Sequence, residues 1–230
     1  MEEHHFYFIN EILGALGFSH FAHEYQHVTH SWFIIIIMIA AGLLLTRSIK
    51  LLPEKGQTAL EFVISSIEDF MVDITGPEGR IFFPFIATIF LYILLCNLIG
   101  LVPGFYSPTA NINTTLSLAL CTFILTHIIG IKYHGAKYVK HFLGPLWYMI
   151  PLMLPIELIG HLARVMSLSV RLFGNIFGKE QVLAIFFAFA GLYLAPLPIL
   201  FLGILVSFIQ AMVFMLLATI YFAGAMEEAH

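Results

Sequence analysis

Apolar runs of membrane-crossing length recur along this chain, and they constrain its fold more than any other feature. Crossing a bilayer as a helix takes about 20 residues. The runs are Val28–Thr46, Ile81–Val102, Leu116–Ile131, a long segment from about Pro155 to Ala190, and Ile199–Ala225. Leu116–Ile131 is rather short, and Pro155–Ala190 is too long for one perpendicular crossing, so it is expected to tilt or bend. The chain is 60% hydrophobic and only 10% charged, which suits a polytopic helical membrane protein and not a soluble domain. The expected fold is all-α, with five membrane-crossing helices plus one amphipathic surface helix, the last two helices being long and tilted.

The surface helix is Gln57–Asp73. Leu60, Val63, Ile64, Ile67, Phe70 and Met71 recur at helical spacing, and Glu61, Ser65, Glu68, Asp69 and Asp73 take the remaining positions. Such a segment lies on a membrane rather than through it. Its acidic polar face argues against anionic lipid as a partner. Gly76-Pro77-Glu78-Gly79 then breaks the helix.

Residues 1–30 are polar, acidic and rich in His, without Lys or Arg. They are expected to lie outside the membrane, with 31–230 embedded in it. No basic and apolar leader pattern begins the chain, so the first run is expected to serve as an uncleaved anchor, with Trp32 at its interface. His20, His23, His27 and His30 fit one helix face. A metal site is one reading, since imidazoles four apart suit zinc. A surface helix is the other, because no carboxylate or Cys completes a ligand set, and no metal or cofactor is expected. Cys96 and Cys121 both lie in apolar segments and make no disulfide framework.

Charge placement sets the orientation. Arg47, Lys50, Lys55, Arg80, Lys132, Lys137 and Lys140 share one side if the amphipathic helix does not cross. The N-terminus, the Gly104–Asn113 loop and the turn at Ala195–Pro198 carry no Lys or Arg. The positive-inside rule then puts the N-terminus outside and the C-terminus in the cytoplasm.

The chemistry concentrates in Glu157-Leu-Ile-Gly-His161-Leu-Ala-Arg164-Val-Met-Ser167-Leu-Ser-Val-Arg171-Leu-Phe-Gly174-Asn175-Ile-Phe-Gly-Lys179-Glu180. An Arg at a bilayer centre costs roughly 2.5–3.5 kcal/mol on insertion scales, so charges here mark an ion path or a buried pair. On a helix, Glu157, Arg164, Ser167, Arg171 and Asn175 fall on one stripe roughly 80° wide, with Glu180 nearly opposite.

Ser-Leu-Ser-Val-Arg171-Leu-Phe-Gly-Asn175, with Glu180 following, resembles the signature of the a subunit of F-type ATP synthases. Asn97-Leu-Ile-Gly-Leu-Val-Pro103, Pro108-Thr-Ala-Asn-Ile-Asn113-Thr-Thr-Leu and Gln210-Ala-Met-Val-Phe214 extend the resemblance over nearly the whole chain after residue 30. It implies a non-catalytic ion-channel subunit of a rotary ATP synthase, multi-pass in the cell inner membrane. Its implied partners are the c-ring of the rotor, the b-type peripheral stalk subunits and the remaining ATP synthase subunits, with membrane lipid around it. No nucleotide-binding GxxxxGK[ST] loop is present, and no nucleic-acid partner is expected.

The resemblance implies roles for the residues. Arg171 is the stator charge facing the ring; an ion pair with Glu157 or Glu180 is the plain structural alternative. Glu180 lines entry from outside, with Lys179 beside it. Glu157 and Ser167 line the cytoplasmic exit, although Glu157 also suits pairing with Arg164. Asn175 and Gln210 border the Arg, or simply hydrogen-bond between helices. His127 and His161 read as interface histidines. The chain departs from the family at Lys179, often Gly, and at Gly203, often His. Lys179 either snorkels to the interface or reaches toward Gly203 and tunes the entry channel. The residues leave H⁺ and Na⁺ open as the coupling ion.

Two rivals predict other patterns. A proton- or Na⁺-coupled secondary transporter would carry an inverted repeat with paired broken helices, and no second charged stripe appears. An intramembrane metalloenzyme would need converging His or acid motifs, and His134 and His141 are too few.

Overall fold

The computed structural model describes residues 10, 20, 24–47, 55–135, 150–190 and 197–227. Among the described residues, six α-helices carry the fold: α1 (Gln26–Arg47), α2 (Lys55–Thr75), α3 (Phe83–Ile99), α4 (Ile112–His134), α5 (Ile150–Ala190) and α6 (Leu197–Met226). Short 3-10 turns at Pro77–Phe82 and Pro108–Ala110 precede α3 and α4. Among the described residues there is no strand. Most of 1–30, residues 195–196 of the expected turn, and Lys50, Lys137 and Lys140 lie outside them.

Among the described residues, four helical stretches are long and apolar enough to cross a membrane: Gln26–Arg47, Pro77–Ile99, Ile112–His134 and Leu197–Met226. The chain is a polytopic helical membrane protein. α5 has the length, at 41 residues, but Glu157, Arg164, Arg171, Lys179 and Glu180 interrupt its apolar character. Pro155 sits in its second turn and the helix continues through it.

α3 packs along α6, and α4 packs against both α5 and α6. The buried face of α6 explains the close approach. Gly203, Ser207, Gln210, Ala211, Phe214, Ala218, Phe222 and Ala225 fall on one stripe, with Ala211, Ala218 and Ala225 seven apart. In lipid no hydrophobic drive holds helices together, so small residues that admit neighbouring backbones take that part. Phe201, Leu202, Ile204, Leu205 and Phe208 cover the opposite, exposed face.

α2 docks through the later part of its apolar stripe, while Val63 and Ile64 stay exposed. Met71 is fully buried, with Ile67, Phe70 and Val72 packed beside it on the core. The helix stops at Gly76, whose φ of 72° is one that side-chain-bearing residues rarely adopt. An ion pair from Arg80 to Glu68 then ties the following turn back to α2.

Three details go beyond the sequence. The third run begins earlier than Leu116, because Asn111 Oδ1 accepts the backbone N–H of Asn113 at 2.9 Å and caps α4. The Gly104–Asn113 loop turns inward: Ser107, Pro108, Thr109 and Ala110 are buried. Its hydroxyls find partners inside, which a run of polar letters does not reveal. Finally, α1 begins at Gln26 and takes His27 and His30 into its first turns. His30 is fully buried, packs edge-on against Tyr106 and hydrogen-bonds the Gln26 carbonyl at 2.9 Å, while His20 pairs with Glu24.

Candidate functional site

α5 presents the charged segment, and its neighbours divide it into three zones. At the centre, Arg171 is exposed and donates from Nη2 to Ser167 Oγ at 3.3 Å. Its ion pair with Glu157 or Glu180 does not form: among the described residues no carboxylate lies within pairing distance of Arg171. One turn on, Asn175 Nδ2 donates to Gln210 Oε1 at 2.7 Å and joins α5 to α6. Gln210 is buried, and its Nε2 has no hydrogen-bond partner among the described residues. An unpaired buried donor costs about 1–3 kcal/mol.

Toward the loop end of the bundle, Lys179 and Glu180 enter a buried polar network drawn from four segments. Lys179 Nζ donates to the Asn97 carbonyl at 2.8 Å and to Ser207 Oγ at 3.3 Å. Lys179 therefore runs inward and does not snorkel. Its stem passes Gly203, where an added Cβ would sit 3.5 Å from Lys179 Cδ and 2.6 Å from Leu101 Cδ2. The space opposite Gly203 is thus shared by Leu101 and Lys179. Glu180 Oε1 accepts the Ser107 backbone N–H at 3.2 Å. Gly100 makes that approach possible, since a Cβ there would lie 2.7 Å from Glu180 Oε1 and 2.6 Å from Ser107 Cβ.

The inward-turning loop is anchored by its own hydroxyls. Ser107 Oγ donates to the Cys96 carbonyl at 2.7 Å, and Thr109 Oγ1 donates to Asn97 Oδ1 at 2.6 Å. Asn97 Nδ2 reaches the Ser207 carbonyl at 3.3 Å. Sequence reasoning assigned no role to Asn97, Gly100, Ser107, Thr109 or Ser207. A signal existed for two of them. Asn97 and Ser207 are polar interruptions of apolar runs, and Gly203, Ser207 and Gln210 share one helical face.

Toward the other end, Glu157 Oε1 lies 3.3 Å from His161 Nε2. It does not pair with Arg164. Residues four apart meet on a helix, whereas seven residues separate Glu157 and Arg164 by about 10 Å along the axis. Arg164 instead stacks over Tyr221 of α6, 5.8 Å from the ring centroid. Thr115 and Ser169 hydroxyls join α4 to α5 at 3.0 Å. Among the described residues no group of three His, Cys, Asp or Glu is arranged to hold a metal ion.

Chemically, the arrangement is a fixed cation at the middle of a long helix with separate acid-containing polar groups on either side of it. Comparison with known proteins is consistent in direction. Residues 28–223 match the family described as ATP synthase A chain. ATP synthase subunit a of Desulfosudis oleivorans is 56% identical over 228 residues, covering 99% of this chain and 100% of the relative. ATP synthase subunit a of Syntrophobacter fumaroxidans is 54% identical over 204 residues, 89% and 85% of the two chains. ATP synthase subunit a 2 of Syntrophotalea carbinolica is 52% identical over 226 residues, 98% and 94%.

Proposed function

The chain belongs to the ATP synthase A chain family, and from that premise we propose that it is the proton-translocating stator of the membrane sector, with two half-channels separated by Arg171. α5 serves as a fifth crossing and α2 stays on the cytoplasmic surface. This orientation puts the N-terminus outside and the C-terminus in the cytoplasm of a cell inner membrane. The c-ring is the rotor partner, and b-type stalk subunits hold the stator in place.

The observation that carries this reading is Arg171 itself. It is a permanent cation on an exposed helix face, hydrogen-bonded to Ser167 and to no carboxylate among the described residues. A charge left uncompensated in lipid calls for a compensating charge from outside the chain. The surface around it suits a close partner. Gly160, Gly174 and Gly178 lie on the same side of α5, and a Cβ added at any of them would meet nothing within 4 Å. Small residues of this kind let another helix approach.

In this reading a proton enters from outside by way of Glu180, with Lys179 tuning the entry, and neutralises a rotor carboxylate. The neutral form travels through lipid, where an ionised one would be costly. On return, Arg171 favours the ionised carboxylate, and the proton leaves past Ser167 and Glu157. The Asn175–Gln210 pair holds α6 against α5 beside the Arg, so the two half-channels stay apart.

The test is Arg171→Ala and Arg171→Lys in the assembled ATP synthase. Both are expected to abolish ATP-driven proton pumping with assembly intact, the Lys variant because a compact ammonium lacks the planar fork. Normal pumping by Arg171→Ala refutes the reading.

A further inference from the structure

The half of α5 that precedes Arg171 carries a second cluster, and the stator reading uses only its edge. Two imidazoles from different helices meet there. His161 of α5 and His127 of α4 have ring centroids 5.0 Å apart. Phe123 packs edge-on against His127 at 4.2 Å and against His161 at 6.0 Å. Glu157 Oε1 lies 3.3 Å from His161 Nε2. Among the described residues, the other charged or titratable groups facing the pair are Arg164 on α5 and Tyr221 on α6.

A cavity of about 20 Å³ adjoins His161, lined by Thr122, Thr126, His161, Arg164 and Tyr221 together with apolar neighbours. A buried water needs roughly 10–15 Å³ and two to four polar partners, so the space fits one water beside His161. Carboxylate, imidazole and imidazole thus lie side by side where α4 meets α5, with a water-sized cavity against His161.

We propose that His161 and His127 form a proton relay that takes protons from Glu157 through the interior of the subunit to the cytoplasmic side. The proposal rests on the stator reading and deepens its exit half-channel. The Glu157 carboxylate accepts a proton released by the rotor and passes it to His161 Nε2. His161 gives up the proton on its other ring nitrogen to His127, whose ring lies beside it. His127 releases a proton in turn toward the α2 side of the bundle. One proton enters and one leaves, and only N–H and O–H bonds change. Imidazole suits this step because its two nitrogens can accept and donate at once. Arg164 accepts no proton and stays stacked on Tyr221 as a fixed charge beside the path. A path through two imidazoles passes H⁺ and has no oxygen cage for Na⁺, so the relay assigns the proton as the coupling ion.

The experiment uses the intact ATP synthase in sealed vesicles, carrying His161→Gly, His127→Gln or His127→Phe. Gradient-driven ATP synthesis and ATP-driven pumping are measured in H₂O and D₂O, across cytoplasmic-side pH, with and without Na⁺. Each variant is expected to slow both activities roughly tenfold or more and to enlarge the solvent isotope effect. Imidazole added on the cytoplasmic side should restore part of the His161→Gly rate, and thiazole, of similar shape but without the N–H, should not. His127→Phe keeps an aromatic ring against Phe123 and separates proton transfer from packing if the other variants assemble poorly. Native rates and isotope effects in His127→Phe, equal rescue by thiazole, or Na⁺-coupled transport each overturn the relay. If Arg171→Ala is inactive while the His variants behave as native, the relay alone fails. If Arg171→Ala pumps normally, the stator reading fails with it.

Discussion

Gly100→Ala should disable proton entry without touching a charged residue. The added methyl would lie 2.6 Å from Ser107 Cβ and 2.7 Å from Glu180 Oε1, whereas carbon contacts settle near 3.5–4.0 Å. Both contacts need about 1 Å of relief. Ser107 resists, because its Oγ is bonded to the Cys96 carbonyl and lies 2.9 Å from Thr109 Oγ1, so the loop is strained while Glu180 is pushed away and surrenders the Ser107 N–H. Overpacking of this kind costs about 1–3 kcal/mol, and a hydrogen bond to a charged group is worth about 1.5–3 kcal/mol. The two describe one displacement and do not add. Where entry limits turnover, this corresponds to roughly 5–150-fold in rate. The assay is ATP synthesis by the reconstituted complex under a fixed imposed gradient, normalised to assembled complex. Gly42→Ala on α1, where a Cβ meets nothing within 4 Å, is the control and should behave as native. Synthesis in Gly100→Ala indistinguishable from native would refute the argument that Glu180 must sit against the Ser107 backbone.

Three further outcomes follow from the geometry. Lys179→Gly removes the contacts to Asn97 and Ser207 and should change how ATP synthesis varies with external pH. Gly203→His should restore part of it only when Leu101 is also trimmed to Ala, and an unchanged profile in Lys179→Gly would reduce the residue to a helix-packing contact. Asn175→Ala and Gln210→Ala should be non-additive in complex stability, with a coupling of about 0.5–3 kcal/mol, and simple additivity would dissolve the pair. A cysteine at Val102, which is exposed, should react with an impermeant thiol reagent from outside, and cysteines at Gln57 and Gly135 only from the cytoplasmic side. Labelling Gln57 and Gly135 from opposite sides would overturn the proposed topology.

The helices were legible in the sequence because each is specified locally. Apolar length announces α1, α3, α4 and α6, and the spacing of Leu60, Val63, Ile67 and Met71 announces α2. The charged stripe of α5 was legible for the same reason: a helix turns by a fixed angle, so positions 157, 164 and 171 must align. The surroundings of Glu180 were not. They are made by Asn97, Ser107, Lys179 and Ser207, which come from segments up to 110 residues apart, as in the Asn97–Ser207 contact. No local period encodes such a meeting. The inward turn of the Gly104–Asn113 loop was not legible, because polar residues usually stay at the surface. Here its hydroxyls donate to the buried Cys96 carbonyl and to Asn97 Oδ1. The meeting of His161 with His127 was not legible either, since the two lie on different helices and their sequence spacing carries no angular information.

The length of α5 has a mechanical consequence. Its 41 residues extend about 62 Å, against a hydrocarbon thickness of about 30 Å. A straight rod of that length held within the layer lies about 60° from the normal. Arg171 falls almost at its midpoint, since the helix runs from 150 to 190. Glu157 and Glu180 are then separated by about 35 Å along the rod, of which some 30 Å is sideways and under 20 Å is depth. Under the proposed stator reading, the two half-channel openings sit at different bearings around a rotor pressed against α5. An ion passing from one to the other must be carried most of the way around that rotor, so a difference in potential across the layer becomes torque about an axis perpendicular to it.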